Sequence, residues 1–89
     1  MIEASITIIN KLGLHARAAS KFVSCASRFA SSVHVMKDGQ RVDGKSIMSV
    51  MMLAAGKGSV LELEIDGPDE AEALAALEAL VADYFGEGE

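Results

Sequence analysis

The chain has 89 residues, about half of them hydrophobic, with one cysteine and a formal net charge of −5 at pH 7. This length predicts one domain, residues 1–89, with a modest core and no second lobe. The acidic total argues against nucleic acid as a main partner. No apolar run is long enough to span a bilayer, and the start lacks a signal-peptide pattern, so we expect a cytoplasmic protein without membrane insertion.

Charge is spread unevenly along the chain. All eight basic residues lie between Lys11 and Lys57, whereas ten acidic residues and no basic ones occur from Gly58 onward. The basic stretch contains His15, which predicts acidic proteins as partners for that part of the surface. The acidic C-terminal third is interpreted only as a solvated surface.

The first predicted elements are a strand and an amphipathic helix. Apolar and polar residues alternate from Ile2 to Ile8, which is typical of a strand with one buried face. From Ala16 onward apolar residues recur at three- and four-residue steps, which predicts a helix to Phe29 or Ala30. Cys25 falls on the apolar stripe, so we expect a buried thiol rather than a nucleophile, and alone it can form neither a disulfide nor a zinc site.

His15 lies at the N-terminal edge of that helix, after a loop over residues 10–14. Unpaired backbone N–H groups and the helix dipole favour an anion there and disfavour imidazolium. This predicts a neutral His15 with a nucleophilic ring nitrogen, and Arg17 adds a guanidinium suited to phosphate oxygens. The residues therefore describe either a histidine that accepts a phosphoryl group or a solvated histidine at a helix start.

A hairpin is predicted next, because Asp38-Gly39 tolerates the positive φ angles of a two-residue turn. The strands are expected over 33–37 and 40–43, with His34 exposed. The expected partners across the turn are Lys37 with Gln40, Val35 with Val42, and His34 with Asp43.

Residues 39–46, GQRVDGKS, match the phosphate-binding pattern G-x-x-x-x-G-K-[ST]. That motif requires one compact loop between a strand and a helix, whereas the predicted hairpin separates Gly39 from Gly44. We therefore reject a nucleotide site. Ser46 remains as a residue placed to cap a helix.

A short helix is predicted over Ser46 to Leu53, with two apolar sides. Val50, Leu53 and Ala54 fall on one side, and Ile47, Met48 and Met51 on another. A two-turn helix outside a small domain buries one side well, so the second is expected to be an exposed partner surface. The alternative is a helix buried more deeply.

The last elements are a strand around 61–65 and a helix begun by Gly67-Pro68-Asp69-Glu70, with proline and carboxylates favourable in the first turn. The helix is expected to end at Gly86, which makes the element order βαββαβα. Its predicted apolar stripe consists of Leu74, Leu77, Leu80, Val81 and Tyr84.

Four motifs carry a resemblance that covers essentially the whole chain: GLHARAA around His15, VDGKSIMSVMML around Ser46, LAAGKGS, and GPDEAEAL. They resemble the histidine-containing phosphocarrier family, HPr, of the bacterial phosphoenolpyruvate-dependent phosphotransferase system. The resemblance implies an α+β open-faced β-sandwich, with a four-stranded antiparallel sheet and three helices on one face.

The resemblance also implies a function. His15 would accept a phosphoryl group from phosphorylated Enzyme I and pass it to Enzyme IIA-type proteins, with Arg17 supporting the group. Ile47, Met48 and Met51 would form the docking surface. The protein would act as a stoichiometric carrier rather than an enzyme, without metal or cofactor, and we expect a monomer.

Family members from bacteria with an HPr kinase/phosphorylase are phosphorylated at the serine that corresponds to Ser46, which would add charge beside the docking surface and weaken acceptance at His15. A plain capping serine is the alternative. Two other functions stay open: a nitrogen-branch phosphocarrier, and a non-catalytic docking protein switched at Ser46. A small-ligand-binding domain is disfavoured because no polar cluster defines a pocket.

Two residues depart from the family pattern. Many members have proline where this chain has Ala18, and often serine or asparagine where it has Leu12. Ala18 is expected to preserve the helix, since proline in a first turn replaces no hydrogen bond. Leu12 removes a polar neighbour of His15 and leaves the hydrogen bonding of the loop open.

Overall fold

A computed structural model describes residues 1–87 of the chain. Four strands and three α-helices follow one another in the predicted order, and a short 3-10 turn comes after the last helix. The elements are β1 (Ile2–Thr7), α1 (Ala16–Ser27), β2 (Ser32–Lys37), β3 (Gln40–Asp43), α2 (Ile47–Met52), β4 (Val60–Asp66), α3 (Glu70–Ala82) and the C-terminal turn (Tyr84–Gly86).

The strands form one antiparallel sheet in the order β1-β4-β2-β3. The predicted hairpin register is confirmed, because Lys37 pairs with Gln40 and His34 with Asp43. Both turn residues, Asp38 and Gly39, have positive φ angles of 51° and 83°. Gly39 is thus part of a hairpin turn, as the rejection of a nucleotide-binding loop requires.

The two faces of the sheet differ in chemistry. On the inner face, aliphatic side chains of β2 and β4 are buried together with the apolar residues of all three helices. On the outer face, Glu3, Glu64, His34 and Asp43 are cross-strand neighbours in one row that crosses all four strands. A four-stranded antiparallel sheet with three helices is the fold class expected from the resemblance.

Helix α1 ends at Ser27, two to three residues earlier than predicted. The reason is Asp69, whose carboxylate accepts hydrogen bonds from the backbone N–H groups of Ala30 and Ser31, both at 2.9 Å, and from the Ser31 hydroxyl. These donations turn the chain out of the helix. The Ser31 hydroxyl and then the Ala30 N–H hold the pKa of Asp69 below its ordinary value.

The end of the last helix was also predicted wrongly. Helix α3 ends at Ala82, and both Tyr84 and Phe85 have φ angles of 54°, which takes them off the helical path. Tyr84, predicted on the buried stripe, is therefore 37% exposed, and Phe85 is fully buried in its place. Glycine is the usual residue at positive φ, so two consecutive aromatic residues give no sequence signal for this turn.

A smaller correction concerns the end of α2. Ala54 lies beyond the helix with a φ angle of 51° and is exposed, whereas Ala55 is 3% exposed. Val50 and Leu53 are buried as predicted. Cys25 is also buried, and this burial raises the pKa of its thiol even though Arg28 opposes the shift. Among residues 1–87, no helix has the length and apolar character needed to cross a bilayer.

Candidate functional site

His15 is the N-cap residue of α1, as the sequence predicts. Its backbone is extended, with φ −71° and ψ 176°, and its carbonyl accepts the first helical hydrogen bond from Ala19 N–H at 2.8 Å. The preceding residue, Leu14, is buried and donates its N–H to Ala55 O at 2.8 Å. The loop before α1 is thereby attached to the loop after α2, which sets where the imidazole lies.

The two ring nitrogens of His15 have different neighbours. Nδ1 lies 3.3 Å from the backbone nitrogen of Arg17, whose N–H donates toward it. Nε2 contacts the carboxylate of Glu87. A backbone N–H can only donate and a carboxylate can only accept, so the arrangement fits a neutral imidazole with the proton on Nε2 and the lone pair on Nδ1. The Nδ1 lone pair therefore faces the N-terminus of the helix, where it accepts the Arg17 N–H.

Glu87 is the residue of the site that sequence reasoning missed. It lies 72 positions after His15, in a tail interpreted only as solvated surface, and no local pattern connects the two. Its other carboxylate oxygen accepts a hydrogen bond from Asn10 Nδ2 at 2.9 Å. Asn10 is fully buried, and the same Nδ2 donates to Gly13 O at 2.8 Å. Asn10 therefore connects the loop before His15 to the C-terminal segment.

The C-terminal turn is attached to α1 just before Glu87 and is closed by a hydrogen bond of its own. Lys21 Nζ donates to Phe85 O at 2.6 Å, and Glu87 N–H donates to Tyr84 O at 2.9 Å. The Glu87 side chain is 14% exposed and that of His15 is 28% exposed. The contact between them is consequently shielded from solvent on most sides.

The environment of Glu87 favours its charged form. Burial raises the pKa of Glu87, but the hydrogen bonds from His15 and Asn10 and the nearby charges outweigh burial, so the pKa is lowered overall. Because the pKa of Glu87 is lower in the folded protein than in the unfolded chain, this contact stabilises the fold fully at a pH above the unfolded-state pKa. The stabilisation is lost as the pH falls through the folded-state pKa.

Arg17 is exposed and lines a cleft of about 320 Å³ that also borders Glu87. The cleft lies between the loop before α1 and the C-terminal turn. Leu12, which replaces the serine or asparagine of many family members, is 67% exposed at the rim of the cleft and makes no polar contact with His15. The polar groups on this side of the site are those of Asn10 and Glu87. The residues that line the cleft are Lys11, Leu12, Arg17, Gly86 and Glu87.

The second side of α2 is exposed, as predicted. Met48 is 72% exposed, Ile47 42% and Met51 38%, and Met52 extends the same apolar surface at 68%. We call Ile47, Met48 and Met51 the α2 patch. Ser46 caps the helix, since its hydroxyl accepts a hydrogen bond from Ser49 N–H at 3.3 Å.

Residues 2–83 match the protein-family model described as the PTS HPr component phosphorylation site. The chain is a member of the HPr family. HPr proteins are phosphocarriers of the phosphotransferase system, so the family membership assigns a phosphocarrier role of this kind.

Individual HPr proteins are similar over their whole length. The phosphocarrier protein HPr of Neisseria meningitidis is 64% identical over 89 residues, and that of Cupriavidus necator 60% identical, with complete coverage of both chains in each case. The crystal structure of HPr from Thermoanaerobacter tengcongensis superposes with a TM-score of 0.94 at 48% identity, covering 98% of each chain.

No group of three or more histidine, cysteine, aspartate or glutamate side chains within residues 1–87 is arranged to hold a metal ion. The polar groups around His15 are instead one amide, one carboxylate and backbone N–H donors, with a guanidinium in the adjoining cleft.

Proposed function

We propose that His15 is the phosphoryl acceptor, that it takes the group from phosphorylated Enzyme I on Nδ1, and that it passes the group to Enzyme IIA-type proteins. The observation that carries this proposal is the position of Nδ1, whose lone pair faces the N-terminus of a twelve-residue helix. Unpaired N–H groups and the helix dipole stabilise negative charge at that point.

The transfer requires only one bond to form and one to break at phosphorus. The Nδ1 lone pair leaves its hydrogen bond with Arg17 N–H and forms a bond to phosphorus. At the same time the bond from phosphorus to the donor nitrogen breaks, and the electron pair of that bond stays on the donor. Such transfers depend on in-line positioning and charge stabilisation. Arg17 is exposed and lines the cleft, so its guanidinium can reach the phosphoryl oxygens once a partner has docked.

The test is the intact mass of the protein after incubation with Enzyme I and phosphoenolpyruvate. We expect one added phosphoryl group that brief acid treatment removes, none on His15→Ala, and acceptance slowed about tenfold in Arg17→Ala through loss of a charge-assisted hydrogen bond. His34→Ala is the matched control, because His34 lies on the outer face of the sheet opposite Asp43.

Two outcomes would contradict the proposal. The first is a label that survives His15→Ala, and the second is a label lost from folded His34→Ala. No addition to folded wild type, with an Enzyme I shown to be active, would instead favour a non-catalytic docking protein switched at Ser46.

The α2 patch is proposed as the docking surface for these partners. An apolar surface with two methionines is adaptable, which suits a carrier that must fit both a donor and several acceptors. Ser46 immediately precedes the patch and is half-buried. We propose that phosphorylation of Ser46 by an HPr kinase/phosphorylase regulates docking, since it would place two negative charges beside an apolar contact.

In the reaction with phosphorylated Enzyme I, the KM for the Met48→Lys variant is expected to be about tenfold higher than for wild type. The reason is that a charge would be buried at the interface. Ser46→Asp is expected to act in the same direction. Val60→Lys is the control, since Val60 is a 51% exposed apolar residue in β4. An equal rise in KM for Val60→Lys would show that the α2 patch has no special part in docking.

A further inference from the structure

The contact between Glu87 and His15 gives Glu87 a role of its own in phosphoryl transfer. We propose that Glu87 is a positioning residue for phosphoryl transfer: its carboxylate keeps the proton of His15 on Nε2 and thereby presents the Nδ1 lone pair to the incoming phosphorus. This inference rests on the proposed carrier function and adds a residue to it.

The geometry supports one tautomer. A neutral imidazole in water exchanges its proton between both nitrogens, and only the form with an unprotonated Nδ1 can attack from the side of the helix N-terminus. Glu87 accepts at Nε2 while Arg17 N–H donates toward Nδ1, so both contacts select the same form. The carboxylate is itself oriented by Asn10 Nδ2, which is fully buried.

The carboxylate also stabilises the positive charge that develops on the imidazole during transfer. When Nδ1 bonds to phosphorus and the donor bond breaks, the imidazole ring acquires positive charge while the Nε2 proton stays in place. Glu87 lies against that edge of the ring, and the phosphoryl group would lie at the opposite edge, beside the helix N-terminus. Positive charge on the ring therefore lies between two negative groups, and no proton has to leave.

The first test is the nitrogen NMR spectrum of His15, which distinguishes the two neutral tautomers. We expect the Nε2-protonated form in wild type and in Glu87→Gln, whose amide oxygen can still accept the hydrogen bond. In Glu87→Ala we expect a mixture of both forms. A spectrum that does not differ between wild type and Glu87→Ala would overturn the proposal, and this measurement needs no partner protein.

The second test is the single-turnover rate of acceptance from phosphorylated Enzyme I. We expect Glu87→Ala to be slower by roughly tenfold, the factor that corresponds to loss of one charge-assisted hydrogen bond. Glu87→Gln should fall between Glu87→Ala and wild type, because it keeps the orientation without the charge. Glu78→Ala removes an equal charge from the exposed side of α3 and should leave the rate unchanged.

The outcomes separate this proposal from the carrier function. A wild type that accepts no phosphoryl group contradicts the carrier function. A wild type that accepts normally, with Glu87→Ala equally fast, contradicts only the role of Glu87. Faster acceptance by Glu87→Ala would show that the carboxylate competes with the phosphoryl group for the site, and would overturn the positioning role.

Discussion

Replacing Phe85 by alanine is expected to lower the free energy of unfolding by about 3–5 kcal/mol, the usual cost of truncating a buried phenylalanine. Phe85 is fully buried, although it lies outside any α-helix or strand. Small domains are stable by about 5–15 kcal/mol, so the loss is a large part of the total. The measurement is equilibrium unfolding in urea.

Tyr84→Ala is the matched control for Phe85→Ala. Tyr84 is the preceding residue, shares the φ angle of 54° and is 37% exposed, so its truncation removes less buried surface. We expect a smaller loss of about 1–2 kcal/mol. Equal losses for the two variants would contradict the position of Phe85 in the core.

Phe85→Ala should also affect phosphoryl acceptance in the protein that remains folded. The Phe85 ring anchors the turn from which Glu87 reaches His15, and Lys21 binds the carbonyl of the same residue. Release of this turn would remove the carboxylate from the imidazole. The Nε2-protonated form of His15 would then be less strongly favoured, as in Glu87→Ala.

Replacing Gly13 by alanine is expected to damage stability and function together. Gly13 has a φ angle of +69°, and an added Cβ would lie 2.4 Å from Ala55 O and 2.7 Å from the Cα of Gly56. The positive φ alone costs about 1–3 kcal/mol for a residue with a side chain. The clash would also force the loop before α1 away from the loop after α2, and His15 is only two residues further on.

The functional effect of Gly13→Ala follows from the displacement of the imidazole. A shift of about 1 Å at a reacting group can lower a rate about 100-fold, and we expect a decrease of that order in phosphoryl acceptance. Gly39→Ala, with φ +83° and open space around its Cβ, is the control for strain alone. Gly56→Ala meets nothing within 4 Å and controls for the substitution itself.

A normal rate in folded Gly13→Ala would contradict the close approach of the two loops. An equally large decrease in Gly39→Ala would attribute the effect to general loss of stability instead. Urea unfolding of all three variants, measured beside the acceptance rate, separates these explanations.

Much of this arrangement could be predicted because it depends on neighbours in sequence. Alternation predicts the strands, the Asp38-Gly39 turn predicts a register in which His34 faces Asp43, and helical spacing places His15 at the start of α1. Each of these signals extends over fewer than about 15 residues, the range within which hydrophobic periodicity is informative.

The features that could not be predicted depend on contacts between distant segments. Helix α1 ends early because Asp69, 38 positions after Ser31, accepts its N–H. The C-terminal turn adopts positive φ at two aromatic residues because burial of Phe85 outweighs local preference. Glu87 lies in an acidic segment whose composition predicts only a solvated surface, and its contact with His15 exists only in the folded protein.

The sheet order has a consequence for how the protein folds. β2 and β3 are joined by a two-residue turn, and such hairpins form within about 1–10 μs. β1 pairs with β4, beginning with Ile2 opposite Ile65, and this pairing requires closure of a long loop at a large entropic cost. The contact of Glu87 with His15 closes a longer loop still. A chain that has formed only its local structure therefore has an imidazole without its carboxylate, so the complete site requires the C-terminal turn to have docked.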